Sequence, residues 1–308
     1  MGSKRVSPII LFSPAKLNLF LAVTGRRTDG FHELVSVASP LAWGDLLRVG
    51  PAADFTLTCD DPALPVDETN LILKAARAFQ AATGWRGGAH FQLEKRIPPG
   101  AGLGGGSSNA AAALRALNLL AGEPLAATAL TALAGQLGSD CALFQHPGPV
   151  VLRGRGERVE ALPAAVAGRL RGRRVLLFKP GFNISTPWAY ARLAACASAV
   201  TTEKDAVYLP AREAEARLAA WLGNPAAPAE ALLFNNMERA AFAKYLALPV
   251  LLAQLRAEFG LGPRMSGSGS ACFTLLPDDL PPARVATMTT VIHETWGPAA
   301  FVVETQLA

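Results

Sequence analysis

Cysteine is scarce in this sequence, and the few cysteines form no pattern. The 308 residues include four cysteines that stand far apart, with no C-x-x-C pair and no histidine at metal-ligand spacing. We therefore expect neither a disulfide framework nor a metal held by protein side chains. Instead we expect free thiols in a reducing compartment, the cytoplasm. The four residues are Cys59, Cys141, Cys196 and Cys272.

Long apolar runs are also absent. No run approaches the roughly 18 residues that a membrane span needs. The apolar stretch at 9–12 is too short for the core of a signal peptide, and Val6 breaks the myristoylation pattern. We therefore expect a cytoplasmic protein with no membrane partner.

Charged residues make up only 17% of the chain, although the net charge is +5. The basic residues are scattered, and their densest run, 169–174, leads directly into an apolar segment. Nucleic acid is therefore not an expected partner, and a small phosphorylated ligand suits this balance better. Because 51% of the residues are hydrophobic, the composition is typical of a compact soluble enzyme.

Strand and helix patterns alternate along the chain and predict an α+β protein. The segment ETNLILKAARAFQAATG predicts an amphipathic helix capped by Thr69 or Asn70 and ended by Gly84. A softer stretch, LPAAVAGRLRG, suggests two domains, 1–166 and 167–308. Further strands are predicted at 15–23, 34–49, 55–59, 89–98, 173–181 and 271–276, with a hairpin over 150–162. A further helix is predicted to begin after a cap at Ser108 or Asn109 and to end at residue 120. Other helices are predicted at 125–137, 186–199, 211–222, 237–246 and 249–259.

The string PPGAGLGGGSSNAA begins at Pro98 and contains five glycines but no lysine. A Walker A loop is excluded because it needs that lysine, and a dinucleotide fingerprint fits poorly because two prolines precede it. A flexible hinge remains an alternative. A phosphate cradle explains more of the string, because bare backbone N–H groups and the N-terminus of the next helix both attract anions. Ser107 and Ser108 add hydroxyls for the phosphates or for Mg²⁺.

Three further segments contain candidate residues, each with a simpler alternative. In the strand SPAKLNLFL, Lys16 and Asn18 point the same way, although an exposed lysine on an edge strand would look the same. Asp140 precedes an apolar run and could be an ordinary N-cap or a catalytic carboxylate. The segment MSGSGSACF places Gly267 in what could be only a tight turn.

Together these four motifs resemble those of the kinase superfamily that includes galactokinase, homoserine kinase and mevalonate kinase. The strings SPAKLNLFLAVTGRRTDGFHEL and GLGGGSSNAA are most similar to one branch, the 4-diphosphocytidyl-2-C-methyl-D-erythritol kinases of the non-mevalonate isoprenoid pathway. The resemblance implies a domain like the second domain of ribosomal protein S5, then a ferredoxin-like domain, with the active site in the cleft between them. It also implies ATP as phosphoryl donor, Mg²⁺, and an acceptor that carries cytidine diphosphate.

The resemblance also implies a role for each candidate. Lys16 and Asp140 would be catalytic, with Asp140 as the general base. The substrate would be bound by Asn18, Phe31, His32, Tyr190, Gly267, Ser268 and Gly269. The ATP phosphates would be bound by Pro98, Pro99, Gly100, Ala101, Gly102, Leu103, Gly104, Gly105, Gly106, Ser107 and Ser108.

The sequence departs from the family pattern after Asp140, where Cys141 and Ala142 replace the usual valine or isoleucine and proline. Residues 200–260 follow no pattern of that family that can be used. Another kinase of the same superfamily, acting on mevalonate, homoserine or a sugar, remains an alternative. So does an inactive relative that senses a ligand, although the presence of both Lys16 and Asp140 argues against it.

Overall fold

The computed structural model describes residues 8–198 and 207–308, so Val6 and the last residue of the predicted helix 186–199 lie outside the described part. The strands are β1 (Ile9–Arg26), β2 (His32–Ala52), β3 (Thr56–Cys59), β4 (Gly88–Glu94), β5 (Val150–Gly154), β6 (Arg158–Ala161), β7 (Arg174–Lys179), β8 (Phe234–Asn235), β9 (Arg264–Met265), β10 (Cys272–Leu275) and β11 (Phe301–Gln306). The helices are α1 (Leu71–Thr83), α2 (Gly105–Leu120), α3 (Ala127–Leu137), α4 (Ala164–Ala167), α5 (Thr186–Ser198), α6 (Ala211–Gly223), α7 (Met237–Phe242), α8 (Ala247–Phe259) and α9 (Pro282–Trp296). The α+β prediction is confirmed.

The chain forms two compact units. Unit one contains the described residues up to Ala15, Trp43–Pro99 and Gly104–Pro147, and unit two contains Lys16–Ala42, Gly100–Leu103 and Gly148–Ala308. Strands β1 and β2 each contribute residues to both units, so the units are not consecutive halves of the sequence. The predicted boundary between residues 166 and 167 stays a prediction.

Unit one packs three helices on a short sheet. Strand β4 pairs antiparallel with β2, from Leu46↔Glu94 to Ala52↔Gly88, and parallel with β3. The core consists of apolar side chains from these strands and helices, and it includes Leu47, Phe55, Ile72, Phe79, Phe91, Leu114, Leu117 and Leu133. Residues 110–113 are all alanine and all fully buried, so α2 can pack closely against its neighbours.

Unit two contains an antiparallel four-stranded sheet in the order β11-β7-β10-β9. Four consecutive residues of β7, from Val175 to Phe178, are buried, which is why this strand reads as a continuous apolar run. Strands β5 and β6 form the predicted hairpin. Strand β8 pairs in parallel with β1 at Phe20↔Phe234.

Several element ends differ from the predictions. Helix α2 begins at Gly105, not after Ser108 or Asn109, because both of those side chains bond to residues distant in sequence. Helix α8 begins at Ala247, since Pro249 falls in its first turn, where no backbone N–H is needed. Helix α7 ends at Phe242, four residues early, while α9 and β11 were not predicted at all. Among the described residues, no helix is both long and apolar enough to cross a membrane.

Candidate active site

The glycine-rich loop adopts a conformation that only glycine takes easily. Gly100, Gly102 and Gly104 have positive φ angles of 64°, 79° and 71°. In unit two, a Cβ on Gly102 would lie 2.7 Å from the backbone oxygen of Ser266 and 3.0 Å from that of Gly269. The loop therefore passes so close to the turn formed by residues 266–269 that a side chain at Gly102 has no room.

Helix α2 begins directly after this loop, with Gly104 as its N-cap residue. Its first turn contains no acidic residue, so the free N–H groups and the positive end of the helix dipole are not neutralised there. Backbone N–H groups in this arrangement bind phosphate without a lysine in the loop. The absence of lysine in the sequence is consistent with this kind of phosphate site.

The two serines of the first turn differ in accessibility. Ser108 is fully buried and its oxygen accepts a hydrogen bond of 2.8 Å from the Ser13 hydroxyl. Ser107 is half-buried. Because Mg²⁺ prefers hard oxygen ligands and keeps several waters, one hydroxyl together with the nucleotide's phosphates suits it, and Ser107 is the more accessible of the two. Among residues 8–198 and 207–308, no three His, Cys, Asp or Glu side chains are grouped to hold a metal.

Asp140 lies in a turn between α3 and a short 3₁₀ helix, Ala142–Gln145, and is half-buried. The cap residue of that 3₁₀ helix is Cys141, so Asp140 is not its N-cap. The pKa of the Cys141 thiol is raised to about 11, mainly by burial. A hydrogen bond with Ser107 lowers this pKa, and the charge of Asp140 raises it by a smaller amount. Within unit one, Ser107 and Asp140 therefore both lie near this protonated thiol.

Lys16 is only 4% exposed, so the alternative of an exposed edge-strand lysine is wrong. Its Nζ donates to Asn18 Oδ1 at 2.6 Å, and Asn18 Nδ2 donates to Ser36 Oγ at 2.9 Å. Lys16 and Asn18 thus lie on one side of β1, as predicted. A Cβ on Gly267 would lie 3.2 Å from Asn18 Oδ1 and 3.4 Å from Lys16 Nζ, so the turn that contains Gly267 lies directly against this pair.

The turn that contains Gly267 is held by Asn235, which sequence reasoning missed. Asn235 Nδ2 donates to the backbone oxygens of Met265 at 2.7 Å and Gly267 at 2.9 Å. The Ser268 hydroxyl is hydrogen-bonded to that of Thr186 at 2.8 Å. The one available signal was the pair of asparagines in LLFNNME, within the segment for which no pattern was recognised.

His32, Tyr190 and Tyr208 form an aromatic group in unit two. The His32 ring centroid lies 4.9 Å from that of Tyr190 and 5.9 Å from that of Tyr208. His32 Nε2 is also hydrogen-bonded to the Tyr208 hydroxyl at 3.2 Å. Burial, with a smaller effect from the charge of Arg26, lowers the pKa of His32 below its usual value. The imidazole is therefore neutral at neutral pH and can pair with the edge of an uncharged base.

Phe31 precedes His32 but is half exposed, at 51%, and the Arg155 guanidinium lies 5.0 Å from its ring centroid. Tyr208 was not among the predicted residues, because it stands alone in a segment without a recognisable pattern. The structure thus joins His32 with Tyr190, and Lys16 with Asn18 and Gly267. The functional roles of all these residues stay predictions.

Two family models match this chain. The model described as the GHMP kinases N terminal domain matches residues 70–149, and the one described as GHMP kinases C terminal matches residues 214–288. These spans include the glycine-rich loop, Asp140 and the turn at Gly267.

Curated relatives and a solved structure give a narrower family. A 4-diphosphocytidyl-2-C-methyl-D-erythritol kinase of Synechococcus sp. (strain CC9902) is 40% identical over 86% of this chain and 87% of its own length. One of Protochlamydia amoebophila is 37% identical over 89% of this chain and 86% of its own. A crystal structure of 4-(cytidine 5'-diphospho)-2C-methyl-D-erythritol kinase, 34% identical, covers 97% of this chain and all of its own with a TM-score of 0.73. The chain therefore belongs to the 4-diphosphocytidyl-2-C-methyl-D-erythritol kinase family of GHMP kinases.

Proposed function

We propose that this protein transfers the γ-phosphoryl group of ATP to the 2-hydroxyl of 4-diphosphocytidyl-2-C-methyl-D-erythritol, a step of non-mevalonate isoprenoid precursor synthesis. The observation that carries the proposal is the buried, neutral His32 packed with two tyrosines, in a chain whose relatives bear that substrate's name. A flat base stacks on aromatic rings, whereas mevalonate, homoserine and sugars have no such base. The four free cysteines are consistent with the predicted cytoplasmic location.

In the proposed reaction, Asp140 takes the proton of the acceptor hydroxyl. The hydroxyl oxygen attacks the γ-phosphorus of ATP, and the bond between the γ-phosphorus and the ADP oxygen breaks. Phosphoryl transfer needs mainly positioning and charge stabilisation from the protein. The backbone N–H groups at the start of α2 bind the ATP phosphates, and the Lys16 ammonium, fixed by Asn18, stabilises the charge of the transferring group. Mg²⁺, when bound, neutralises phosphate charge, and Ser107 is the residue that would hold it.

His32, Tyr190 and Tyr208 bind the acceptor in this proposal. The tyrosine rings supply stacking surface, and the neutral imidazole pairs with the base edge. The turn at Gly267 closes over the acceptor next to Lys16 and Asn18. An inactive ligand sensor is the second candidate, but it would not need a buried lysine and a carboxylate in these two motifs.

The experiment is ADP release with 4-diphosphocytidyl-2-C-methyl-D-erythritol, in which the wild-type protein is compared with Asp140→Asn. We expect kcat to fall by about 10²–10⁴-fold, since general-base catalysis typically contributes that much, while the Kd for ATP stays within twofold. Asp279→Asn, which neutralises an exposed carboxylate, is the control and should behave as wild type. A loss below tenfold in Asp140→Asn would reject its role as base, and no ADP release by the wild-type protein would reject the kinase function.

A further inference from the structure

Asp45 is a fully buried carboxylate for which the proposed reaction gives no role. Its Oδ1 accepts hydrogen bonds from the backbone N–H groups of Arg96 at 2.7 Å and Ile97 at 2.8 Å. Its Oδ2 accepts from Lys95 Nζ at 2.6 Å and from Asn109 Nδ2 at 2.8 Å. A buried charge with four donors is well satisfied, and removal of any partner would take a hydrogen bond from a buried carboxylate.

These donors come from both sides of the glycine-rich loop. Lys95, Arg96 and Ile97 follow β4 and lead into Pro98, where the loop begins. Asn109 lies in the second turn of α2, just after the loop ends. Within unit one, a single carboxylate therefore joins the segment before the loop to the helix after it.

Ser13 strengthens the second of these connections. Asn109 Nδ2 also donates to Ser13 Oγ at 2.8 Å, and the Ser13 hydroxyl donates to Ser108 Oγ at 2.8 Å. All three side chains are buried. The start of α2 is thus fixed by side chains from both β1 and β2.

The ion pair of Asp45 with Lys95 also accounts for a glycine at the start of α2. A Cβ on Gly105 would lie 3.0 Å from Lys95 Nζ and 3.1 Å from Ile97 Cγ2, closer than ordinary contacts. The ammonium therefore lies against the first residue of α2, where the positive end of the helix dipole disfavours a cation. Asp45 provides the opposite charge, in a pair whose side chains are 6% and 0% exposed.

We propose that Asp45 is a positioning residue for nucleotide binding. By bonding to both sides of the loop, its carboxylate fixes the spacing and direction of the backbone N–H groups that hold the ATP phosphates. This inference rests on the proposed function, which assigns the phosphates to that loop. Asp45 acts through the loop and makes no contact with the substrate.

The test compares Asn109→Ala with Asn118→Ala, two asparagines of α2. Asn118 is buried near the other end of the helix, where it is bonded to the backbone N–H and oxygen of Leu125. Each variant removes one buried amide with two hydrogen bonds, so we expect both to lower Tm. Only Asn109→Ala should raise the Kd for a non-hydrolysable ATP analogue, by about fivefold or more, and the acceptor Kd should stay within twofold in both.

A second variant, Asp45→Asn, keeps the shape of the side chain but turns an NH₂ group toward two other donors, Lys95 and Asn109. Where circular dichroism shows that it folds, we expect a larger rise in the analogue Kd than in Asn109→Ala; an analogue Kd equal to that of the wild-type protein would contradict the proposal.

Two results for the asparagine variants would overturn the positioning role: an unchanged analogue Kd in Asn109→Ala, or an equal rise in Asn118→Ala. If the wild-type protein binds no nucleotide, the proposed function itself fails, which is a distinct outcome.

Discussion

At the scale of single residues, His32 shows how burial selects a chemical state. An imidazole in water is charged below a pKa of about 6.5, but burial and Arg26 disfavour the charged form and lower the pKa of His32. Its neighbour Tyr208 is uncharged at neutral pH, because burial raises the pKa of its hydroxyl. The group therefore offers an uncharged surface with a few hydrogen-bonding atoms, which suits a neutral base better than a phosphate.

This charge state predicts a pH dependence for acceptor binding. Because the pKa of His32 is lowered, the neutral ring is present at neutral pH and is lost only when the pH falls below the usual imidazole value. Calorimetric titration of the acceptor without ATP, which involves no turnover by Asp140, should give a constant Kd from about pH 7 to 8 and a rising Kd below about pH 6. In Tyr208→Phe, which removes only the hydroxyl bonded to His32, we expect a higher Kd for the acceptor at every pH. Tighter acceptor binding in acid would show that the charged imidazole binds, contrary to this account.

At the scale of elements, the proposed phosphate binding depends on the start of α2. Gly106 is exposed in its first turn, and a Cβ there would meet only Leu71 Cδ1, at an ordinary 3.6 Å. Gly104 is a poorer test position, since its φ of 71° would strain any other residue. We therefore choose Gly106→Ala, because alanine fits the protein but occupies space in which the proposed mechanism places a phosphate.

We expect Gly106→Ala to keep or raise Tm, because alanine favours a helix over glycine by about 0.5–1 kcal/mol. The Kd for ATP should nevertheless rise about tenfold, which is about 1.4 kcal/mol. Gly135→Ala is the matched control in α3, where the new Cβ would lie 4.0 Å from Ala142 Cβ. It should raise Tm without any change in the Kd for ATP. Equal ATP affinity in both variants would place the phosphates elsewhere.

Elements with local signals could be predicted from the sequence, and those that depend on distant partners could not. Helix α1 begins after Asn70, whose side chain accepts from the Ile72 N–H, and ends at Gly84 in a left-handed conformation, as predicted. The start of α2 was misplaced because Asn109 resembles a cap but bonds instead to Asp45, 64 residues away.

The candidate site divides in the same way. Its glycine and lysine motifs are visible in the sequence, because they are continuous strings. Asp45, Asn235 and Tyr208 were missed, since each acquires its partners only through folding and belongs to no recognised motif. The position of Lys16 and Asn18 on one side of β1 could be predicted, because both lie on the same strand, two residues apart.

At the scale of the whole molecule, family membership fixes the class of reaction more firmly than the acceptor. Relatives at 37% and 40% identity cover most of the chain, so both segments that the family models match belong to one family. The net charge of +5 also favours the approach of anionic substrates such as ATP and a cytidine diphosphate ester. The central claim is therefore that the acceptor is recognised through its cytidine.

The most direct test is kcat/KM for ADP release with 4-diphosphocytidyl-2-C-methyl-D-erythritol and with 2-C-methyl-D-erythritol 4-phosphate, which has the same hydroxyl but no cytidine. Stacking contributes about 1–3 kcal/mol per base, and binding energy far from the reacting atoms also raises kcat. We predict a kcat/KM at least about 100-fold higher for the cytidine compound, with mevalonate, homoserine and galactose all inactive. Equal values for the two erythritol compounds, or faster ADP release with mevalonate, homoserine or galactose, would contradict the account.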